Sequence, residues 1–379
     1  MTAVICEYNP FHNGHAAHLK MTRAQTDGPI ICVMSGRFVQ RGELAIVSKH
    51  TRAEIAVRCG ADLVVELPMP YALTTAERFA KGGVEVARIV GADTLSFGSE
   101  SGDVDALIRT AALADSDAYA DALRRELTSG DAFAVCRARA LRSLDPDAVC
   151  DTPNDILGVE YCRALRNTGI RPLVIQRDSR HDASDPTQGV IASYLRGRIR
   201  TGHADDCRAY MPETAWNLLL RELAGAAPPA MADLDAAMLL YLRRLTAKQL
   251  ADTDISEGFE HRLYRALREA GSLREAYDLA KTKRVSHARI RRACLSAYLG
   301  IPKTYAYEKP PFLRVLALNG CGRTVLRNVT QVPVLTKPAQ IASFPERAQA
   351  WFALDTRAYD LTALSSAGAE LTRSARYCG

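Results

Sequence analysis

The stretch that decides the fold is EYNPFHNGHAAH, from Glu7 to His18. A short apolar run directly before it, Ala3 to Cys6, predicts a buried strand, and a helix is predicted from His15 to about Thr22. Asn9-Pro10 and Asn13-Gly14 predict a turn between them, because proline fixes φ and glycine tolerates φ > 0. The stretch is therefore a strand–loop–helix junction.

The start of this helix is a candidate phosphate site. The first N–H groups of a helix have no intrahelical partner, and the helix dipole adds partial positive charge at the same end. A phosphate is stabilised at such a position. Three of the chain's eight histidines, His12, His15 and His18, lie on this turn.

These histidines have alternative interpretations. A histidine near a helix start is often a cap or a core residue, and a His-x-x-His-x-x-His run can also bind a metal ion. Gly14, between His12 and His15, leaves room for a ligand to approach the backbone. His-x-Gly-His after the first strand of an α/β domain resembles the signature of the nucleotidyltransferase and class I aminoacyl-tRNA synthetase superfamily. In that superfamily both histidines contact ATP phosphates, and we favour this interpretation.

The composition indicates an ordinary globular protein. The chain has 379 residues, 47% of them hydrophobic and 24% charged, so two or three domains of about 150 residues are expected. No apolar run approaches the roughly 18 residues of a membrane span, and no signal peptide precedes the first strand. Ten cysteines without a C-x-x-C pair indicate buried or free thiols rather than disulfides or a metal framework. We expect a cytoplasmic protein that does not bind membranes.

Strands and helices alternate from Met1 to about residue 100. Further strands are predicted at Pro29–Ser35, Asp62–Leu67, Thr94–Phe97 and Pro172–Gln176, with helices at Lys49–Gly60 and from a capping box at Thr74–Glu77 to Val90. This alternation predicts an α/β fold with a Rossmann-like, doubly wound parallel sheet. Ligands bind beyond the carboxyl ends of such strands. We therefore expect the loops Tyr8–Gly14, Gly36–Glu43 and Gly98–Glu100 to face one crevice.

Two polar residues follow farther along the chain. After a mainly helical stretch over residues 103–145, Asn154 is the expected N-cap of a helix that begins at about Asp155. Arg177 follows the fifth strand, where a guanidinium can bind a phosphate or a carboxylate with two hydrogen bonds. The alternative for Arg177 is a surface ion pair with Asp178 or Asp182.

The segment IASYLR, Ile191 to Arg196, resembles the second ATP element of nucleotidyltransferases, Ser-Ser-Thr-x-x-Arg. Ser193 occupies the threonine position and Ala192 a serine position, so the match is partial. A hydroxyl and an arginine at a helix N-terminus suit a triphosphate.

The second half of the chain reads as helical and basic. Beyond residue 205, apolar stripes at helical spacing predict a mainly α-helical domain: Leu234, Met238, Leu242 and Leu245, then Phe259, Leu263 and Leu267. We therefore expect a first domain at residues 1–204 and a mainly α-helical, basic domain at residues 205–379. Eleven Lys or Arg residues lie from Lys281 to Arg327, against one acid, Glu308. Such an excess indicates nucleic-acid binding, and a merely solvated basic surface is the alternative.

Aromatic residues alternate with basic ones in part of this region. A basic helix is predicted over residues 281–298 with Ser286 as a candidate N-cap. After it, Tyr305, Tyr307 and Phe312 interleave with Lys303, Lys309 and Arg314. Aromatic faces stack unpaired bases and cations hold the backbone. Packing in the hydrophobic core is the alternative for each of these aromatic rings.

Seven stretches occur in the order and at about the spacing of the tRNA(Met) cytidine acetate ligase family: EYNPFHNGH, MSGRFVQRGE, DLVVELP, FGSE, PNDILG, TKRVSHARIRR and PPFLRVLA. The chain resembles this family over essentially its whole length. The resemblance implies an enzyme that uses ATP, with Mg²⁺ expected beside it, to activate acetate as acetyl-adenylate. The acetyl group would then pass to the wobble cytidine of elongator tRNA(Met), with residues 1–204 as the catalytic domain and residues 205–379 as the tRNA-binding domain.

The resemblance also implies a set of site residues. His12 and His15 would be catalytic. ATP contacts would come from Ile5, Cys6, Glu7, Tyr8, Asn9, Pro10, Phe11, His12, Asn13, Gly14, His15, Ala16, Ala17, His18, Gly98, Asn154 and Arg177, and from Ser193 through the second ATP element. The stretch from Arg177 to His181 is shorter than in the family, so Arg180 is an alternative to Arg177.

Three other functions are considered. A small-molecule adenylyltransferase shares the His-x-Gly-His core, but the long basic second half argues against it. A non-catalytic RNA-binding protein with a vestigial ATP fold is opposed by the intact set of His12, Gly14 and His15. A metal-dependent hydrolase is a more distant alternative.

Overall fold

The computed structural model describes residues 1–177, 192–225, 227–253, 255, 258–363 and 374–378. Asp178, Arg180, His181 and Asp182 lie outside the described residues. The strands are β1 Thr2–Cys6, β2 Ile30–Ser35, β3 Phe38–Val39, β4 Glu43–Leu44, β5 Leu63–Leu67, β6 Thr94–Ser99, β7 Arg171–Gln176, β8 Leu313–Leu318, β9 Val334–Leu335 and β10 Arg376–Tyr377.

The helices of the first half are α1 Asn13–Gln25, α2 Lys49–Arg58, α3 Met69–Ala72, α4 Ala76–Ile89, α5 Val104–Ala114, α6 Asp117–Glu126, α7 Phe133–Arg142, α8 Pro153–Leu165 and α9 Ala192–Arg200. Those of the second half are α10 Glu213–Leu223, α11 Asp235–Arg244, α12 Ala247–Ala251, α13 Phe259–Glu269, α14 Leu273–Ala280, α15 His287–Leu299, α16 Gly320–Arg327 and α17 Glu346–Thr362. None of the described helices combines the length and the apolar character needed to cross a membrane.

A single large sheet organises the described structure, in the order β10-β8-β5-β2-β1-β6-β7, with β9 paired to β8. Neighbours among β5, β2, β1, β6 and β7 pair in parallel, so their carboxyl ends lie along one edge. The predicted doubly wound α/β sheet is confirmed. The structure adds β8, which runs antiparallel to β5.

The two faces of this sheet carry separate apolar layers, because successive side chains of a strand point to opposite faces. One layer includes Ala3, Val33 and Leu95 together with residues of α4 and α8. The other includes Val4, Cys32 and Val64 together with residues of α1, α2 and α10. Helix α4 lies very close to β1, since a Cβ at Gly83 would come within 2.5 Å of Ile5. This packing fixes the end of β1, from which the His-x-Gly-His loop departs.

The second half of the chain is not only helical. The six residues of β8 are all buried, and β9 and β10 pair with β8. The apolar stripes predicted beyond residue 205 belong to α11 and α13, and Ser286 caps α15 as predicted. The division into domains at residues 204 and 205 stays a prediction, although strands from both sides of it share one sheet.

A buried cluster of four charged residues connects the two halves. The Lys49 ammonium lies 2.8 Å from Oε1 of Glu66 and 3.2 Å from Oδ2 of Asp355. Arg314 pairs with Asp355 and lies 3.5 Å from Glu66. Burial opposes ionisation of Asp355, but Lys49 and Arg314 prevail and lower its pKa. Arg314 is therefore buried in an ion-pair network, and the expectation that it contributes to an RNA-binding surface is wrong.

Candidate active site

Two buried aromatic side chains anchor the loop after β1. Tyr8 and Phe11 are buried, with ring centroids 4.8 Å apart. Tyr8 adopts a left-handed backbone conformation, with φ of 49°. This costs a residue other than glycine about 1–3 kcal/mol. The buried ring and a 3.4 Å contact of its hydroxyl with Cys32 Sγ hold that conformation.

A buried arginine on α2 also fixes this loop. The guanidinium of Arg52, on α2, donates to the carbonyl oxygens of Glu7 at 2.6 Å and Ser35 at 3.0 Å. It also donates to the carbonyls of Val47 and Gly36. The carboxyl ends of β1 and β2 thus share one cation, which sets where the loop begins.

His12 and His15 form a reciprocal cap at the start of α1. The Gly14 N–H donates to Nδ1 of His12 at 3.1 Å, and the His12 N–H donates to Nδ1 of His15 at 3.3 Å. The two rings stack with centroids 3.7 Å apart. Because each Nδ1 accepts a backbone N–H, a neutral ring carries its hydrogen on Nε2. The capping and phosphate-binding interpretations are therefore compatible, since the cap uses Nδ1 of both rings and not Nε2–H.

The neighbours of His15 keep it uncharged. Burial lowers the pKa of His15 well below its ordinary value, and His12, Arg177 and His18 lower it further. Burial and Arg177 also lower the pKa of His18, to about 4. His18 lies 3.0 Å from the Ser96 hydroxyl on β6, so it contacts the sheet instead of joining the stack. At neutral pH the rings of His15 and His18 are therefore neutral, and Arg177 is a cation beside them.

The structure brings together Gly98, Arg177 and Asn154 at the ends of β6 and β7. The Arg177 N–H donates to the carbonyl of Ser99 at 2.8 Å, and a Cβ at Gly98 would lie 2.6 Å from Cδ of Arg177. Asn154 donates to a carboxylate oxygen of Glu100. The expectation that Asn154 caps its helix is wrong, because the hydroxyl of Thr152 caps α8 and leaves the amide of Asn154 for Glu100.

Other predicted residues serve mainly to hold the loop. Ile5 packs against α4, Asn9 accepts a hydrogen bond from Ile46 N–H at 2.8 Å, and Asn13 donates to the carbonyl of Ala209 at 3.1 Å. Cys6, Pro10 and Ala16 are buried or half-buried, whereas Ala17 is exposed. Among the residues that the structure describes, no three His, Cys, Asp or Glu side chains converge as a metal site.

Helix α9 meets the loop through an arginine that was not among the predicted site residues. Ser193 is exposed on its first turn, and Arg196 donates to the carbonyl of Asn9 at 2.8 Å. Burial lowers the pKa of Arg196, and Arg41 and Arg200 lower it further. The partial match of IASYLR thus includes a loop contact at its arginine. The Ser-x-x-Arg spacing is the sequence feature that could have identified Arg196 as a site residue.

Comparison with known proteins shows the family of this chain. The family model described as HIGH Nucleotidyl Transferase matches residues 1–375. A tRNA(Met) cytidine acetate ligase of Caldanaerobacter subterraneus subsp. tengcongensis is 35% identical over 360 residues, covering 90% of this chain and 89% of that protein. The chain belongs to the tRNA(Met) cytidine acetate ligase family of HIGH nucleotidyl transferases. The family predicted from the motifs is confirmed.

Other proteins of this family are also similar to the chain. That of Bacillus licheniformis is 33% identical over 360 residues, covering 88% of this chain and 86% of its own. The structure of Thermotoga maritima TmcAL without ligand matches with a TM-score of 0.91 and 30% identity, covering 99% of both chains. TmcAL bound with alpha-thio ATP matches with a TM-score of 0.87 and 28% identity, covering 100% of this chain and 99% of that one. The predicted nucleotidyltransferase fold class is confirmed.

The β3–β4 hairpin joins the loop after β1, residues 7–12 and called the HIGH loop below, to the basic helix α15. The Gln40 N–H donates to Oε1 of Glu7 at 2.7 Å, and the Gln40 carbonyl accepts from Arg292 at 3.1 Å. Arg291 donates to the carbonyl of Arg41 at 3.0 Å. Gly42, at φ of 71°, permits this contact, since a Cβ there would lie 2.8 Å from Arg291. The sequence predicts a loop over Gly36–Glu43, and no local pattern in it indicates this connection.

The predicted aromatic and basic surface is only partly accessible. Tyr305 is 8% exposed and stacks on Trp351 with centroids 5.1 Å apart, so core packing is its role. Tyr307 is 62% exposed, and the guanidinium of Arg78 lies 3.7 Å from its ring centroid. Exposed lysines and arginines of the predicted basic stretch are Lys281, Lys283, Arg284, Lys303, Lys309, Arg323 and Arg327. These side chains, and not Tyr305, are the accessible part of the ligase-family chain's basic region.

Proposed function

We propose that this chain activates acetate with ATP and acetylates the exocyclic amine of the wobble cytidine in elongator tRNA(Met). The observation that carries the proposal is the stacked pair of His12 and His15 at the N-terminus of α1, each with Nδ1 bonded to the backbone. This arrangement sets two Nε2–H donors beside the first amides of a helix. Such a group of donors suits the phosphates of ATP.

In the first step an acetate oxygen attacks the α-phosphorus of ATP. The bond to the β-phosphate oxygen breaks, which yields acetyl-adenylate and pyrophosphate. Negative charge grows on the phosphoryl oxygens, where His12, His15 and the guanidinium of Arg177 would stabilise it. Because burial keeps His15 neutral, its Nε2 donates a hydrogen bond without giving up a proton.

Other residues would hold the nucleotide in place. Gly98 allows the side chain of Arg177 to approach the end of β6 closely, and Glu100 holds the amide of Asn154 through a hydrogen bond. Mg²⁺ usually binds one or two carboxylates together with substrate phosphates. Glu7 is the one carboxylate between residues 7 and 18, so the loop fits an ion held mainly by ATP. When bound, the ion would neutralise phosphate charge.

In the second step the exocyclic amine of the cytidine attacks the acetyl carbon. The bond from that carbon to the AMP oxygen breaks, the amine loses one proton, and AMP leaves. A base in an anticodon loop is unpaired, so no duplex has to be opened. We place tRNA binding on residues 205–379 and the reaction in the cytoplasm, where the chain's cysteines stay reduced.

The test is an incubation with ATP, labelled acetate and total tRNA, followed by nucleoside analysis of the RNA. We expect label in acetylcytidine. His15→Ala should lower the rate on the order of 10²–10³-fold, because one transition-state donor is lost. His203→Ala, at an exposed position after α9 and outside residues 205–379, is the control and should keep full activity. Circular dichroism would establish that both variants are folded.

Two outcomes would contradict the proposal. ATP consumption without label in RNA would favour an adenylyltransferase of small molecules. Untouched ATP together with retained tRNA binding would favour an RNA-binding protein with an inactive ATP fold.

A further inference from the structure

A cleft of about 390 Å³ opens beside the β3–β4 hairpin. Small-molecule sites typically measure about 300–1,000 Å³, so this cleft has room for a nucleotide-sized group. Its walls come from β4, the end of α9, the segment 230–232, the start of α11, and the helices α14 and α15. The lining residues are Glu43, Arg200, Ala230, Met231, Ala232, Asp235, Leu273, Arg274, Tyr277 and Arg291.

The charged residues of the cleft combine cations with fixed acceptors. Arg200, Arg274 and Arg291 supply three guanidinium groups, against the carboxylates of Glu43 and Asp235. Arg291 lies 3.3 Å from Glu43, and Oδ1 of Asp235 accepts the Leu273 N–H at 2.9 Å. The net charge of the lining is therefore positive, with hydrogen-bond acceptors of known position on two sides.

Tyr277 is the polar group in this cleft that points to a missing ligand. Its side chain is 9% exposed, and its buried hydroxyl has no hydrogen-bond partner among the described residues. A buried hydroxyl without a partner costs about 1–3 kcal/mol. Burial raises the pKa of Tyr277 well above its ordinary value, so the phenol stays protonated and is available as a donor.

Two lining residues of the cleft, Glu43 and Arg200, are connected to the HIGH loop through intervening residues. Glu43 pairs with Val39 across the hairpin whose Gln40 N–H donates to Glu7. On the other side, Glu43 and Arg200 act electrostatically on Arg196, whose guanidinium donates to the carbonyl of Asn9. Glu43 and Arg200 are thus each linked through one further residue, Arg196, to the loop on which acetyl-adenylate would form.

We propose that this cleft binds one unstacked nucleotide of the RNA substrate, adjacent in sequence to the cytidine that is acetylated. The arginines suit its phosphates, the carboxylates accept from a base amine, and the Tyr277 hydroxyl donates to a base or sugar oxygen. A positively charged wall with polar groups at its base is typical of sites for single-stranded nucleotides. The inference rests on the proposed function and adds the place where the RNA is held.

Two variants test it in the full-length chain. Tyr277→Phe removes only the hydroxyl, and Arg274→Gln removes one exposed guanidinium. Each should raise the KM for tRNA(Met) in the acetylation assay, and its Kd in filter binding, by about tenfold, the effect of one lost hydrogen bond. Tyr119→Phe on α6 and Arg109→Gln on α5, both within residues 1–204 and outside the cleft, are matched controls and should change neither value.

A second readout separates this inference from the proposed function. Acetate-dependent exchange of pyrophosphate into ATP, without RNA, should be unchanged in Tyr277→Phe and Arg274→Gln, since the cleft acts on RNA alone. Wild-type protein without exchange would overturn the proposed function, and filter binding would still decide whether the cleft holds RNA. Unchanged tRNA affinity in both variants would overturn the cleft inference.

Discussion

At the scale of single residues, His18 gives a pH dependence that can be measured. Its pKa is about 4 in the folded chain, below the ordinary value of 6.5. Between these values the unfolded chain binds more protons, so stability present above pH 6.5 is lost as the pH falls toward 4. We expect the His18 contribution to the free energy of unfolding to drop by roughly 2 kcal/mol from pH 7 to pH 5.

Thermal unfolding at pH 7 and pH 5 would measure this effect. His18→Gln keeps a polar contact for Ser96 but cannot take up a proton, so its Tm should fall less than that of the wild type. His261→Gln, on the surface, should follow the wild type. Equal losses in the wild type and His18→Gln would refute the prediction.

The sequence was informative about single residues where one motif fixes both chemistry and geometry. The spacing of His12, Gly14 and His15 is such a case, since the cap and the stacked rings lie within one helical turn. Asn154 was misassigned as a cap because Thr152, two residues earlier, competes for the same role. Which of two nearby polar residues caps a helix depends on where the chain enters it, and Glu100, far away in sequence, takes the amide of Asn154.

At the scale of elements, Arg52 on α2 is the residue that joins the ends of two strands. Replacing it by methionine leaves the carbonyls of Glu7, Ser35 and Gly36 without their buried donor. We expect Arg52→Met to lower the free energy of unfolding by roughly 3 kcal/mol. Urea denaturation, with the m-value compared with that of the wild type, would measure it.

Arg58→Met is the matched control on the same helix. Arg58 pairs with Glu54 at 3.1 Å, but its side chain is 47% exposed. Glu54 also keeps Arg221 at 3.2 Å. Such a pair contributes at most about 1 kcal/mol, so the change should be small. A loss in Arg58→Met as large as that in Arg52→Met would show that Arg52 has no special role.

Local apolar runs predicted the elements of the first half well, because each parallel strand of this sheet is a short run between helices. The elements that were not predicted depend on distant partners. Phe38–Val39 and Glu43–Leu44 are too short to show a period, and Gln40 between them is held by Glu7 and Arg292. Leu313–Leu318 lies in a stretch with aromatic and basic neighbours, and its pairing with β5 spans about two thirds of the chain.

At the scale of the whole molecule, that pairing makes the two halves depend on each other. The five residues of β5 are buried, and β8 covers one edge of this strand. Burial of Leu313, Val315 and Leu316 contributes about 1.5–3 kcal/mol for each side chain. The sum is comparable with the net stability of about 5–15 kcal/mol that a folded protein has. Lys49 and Glu66 would also lose Arg314 and Asp355 if the second half were absent.

We therefore expect a fragment of residues 1–204 to be unfolded or aggregated when it is produced alone. Production together with residues 205–379 should recover a folded complex, because β8 and the charged cluster are then restored. Size-exclusion chromatography and circular dichroism of the fragment, the mixture and the intact chain would measure this. A monomeric 1–204 fragment that unfolds in one cooperative transition would contradict the expectation. In that event the contribution of β8 and the buried ion pairs would be much smaller than their burial implies, and the HIGH loop would be supported by the first half alone.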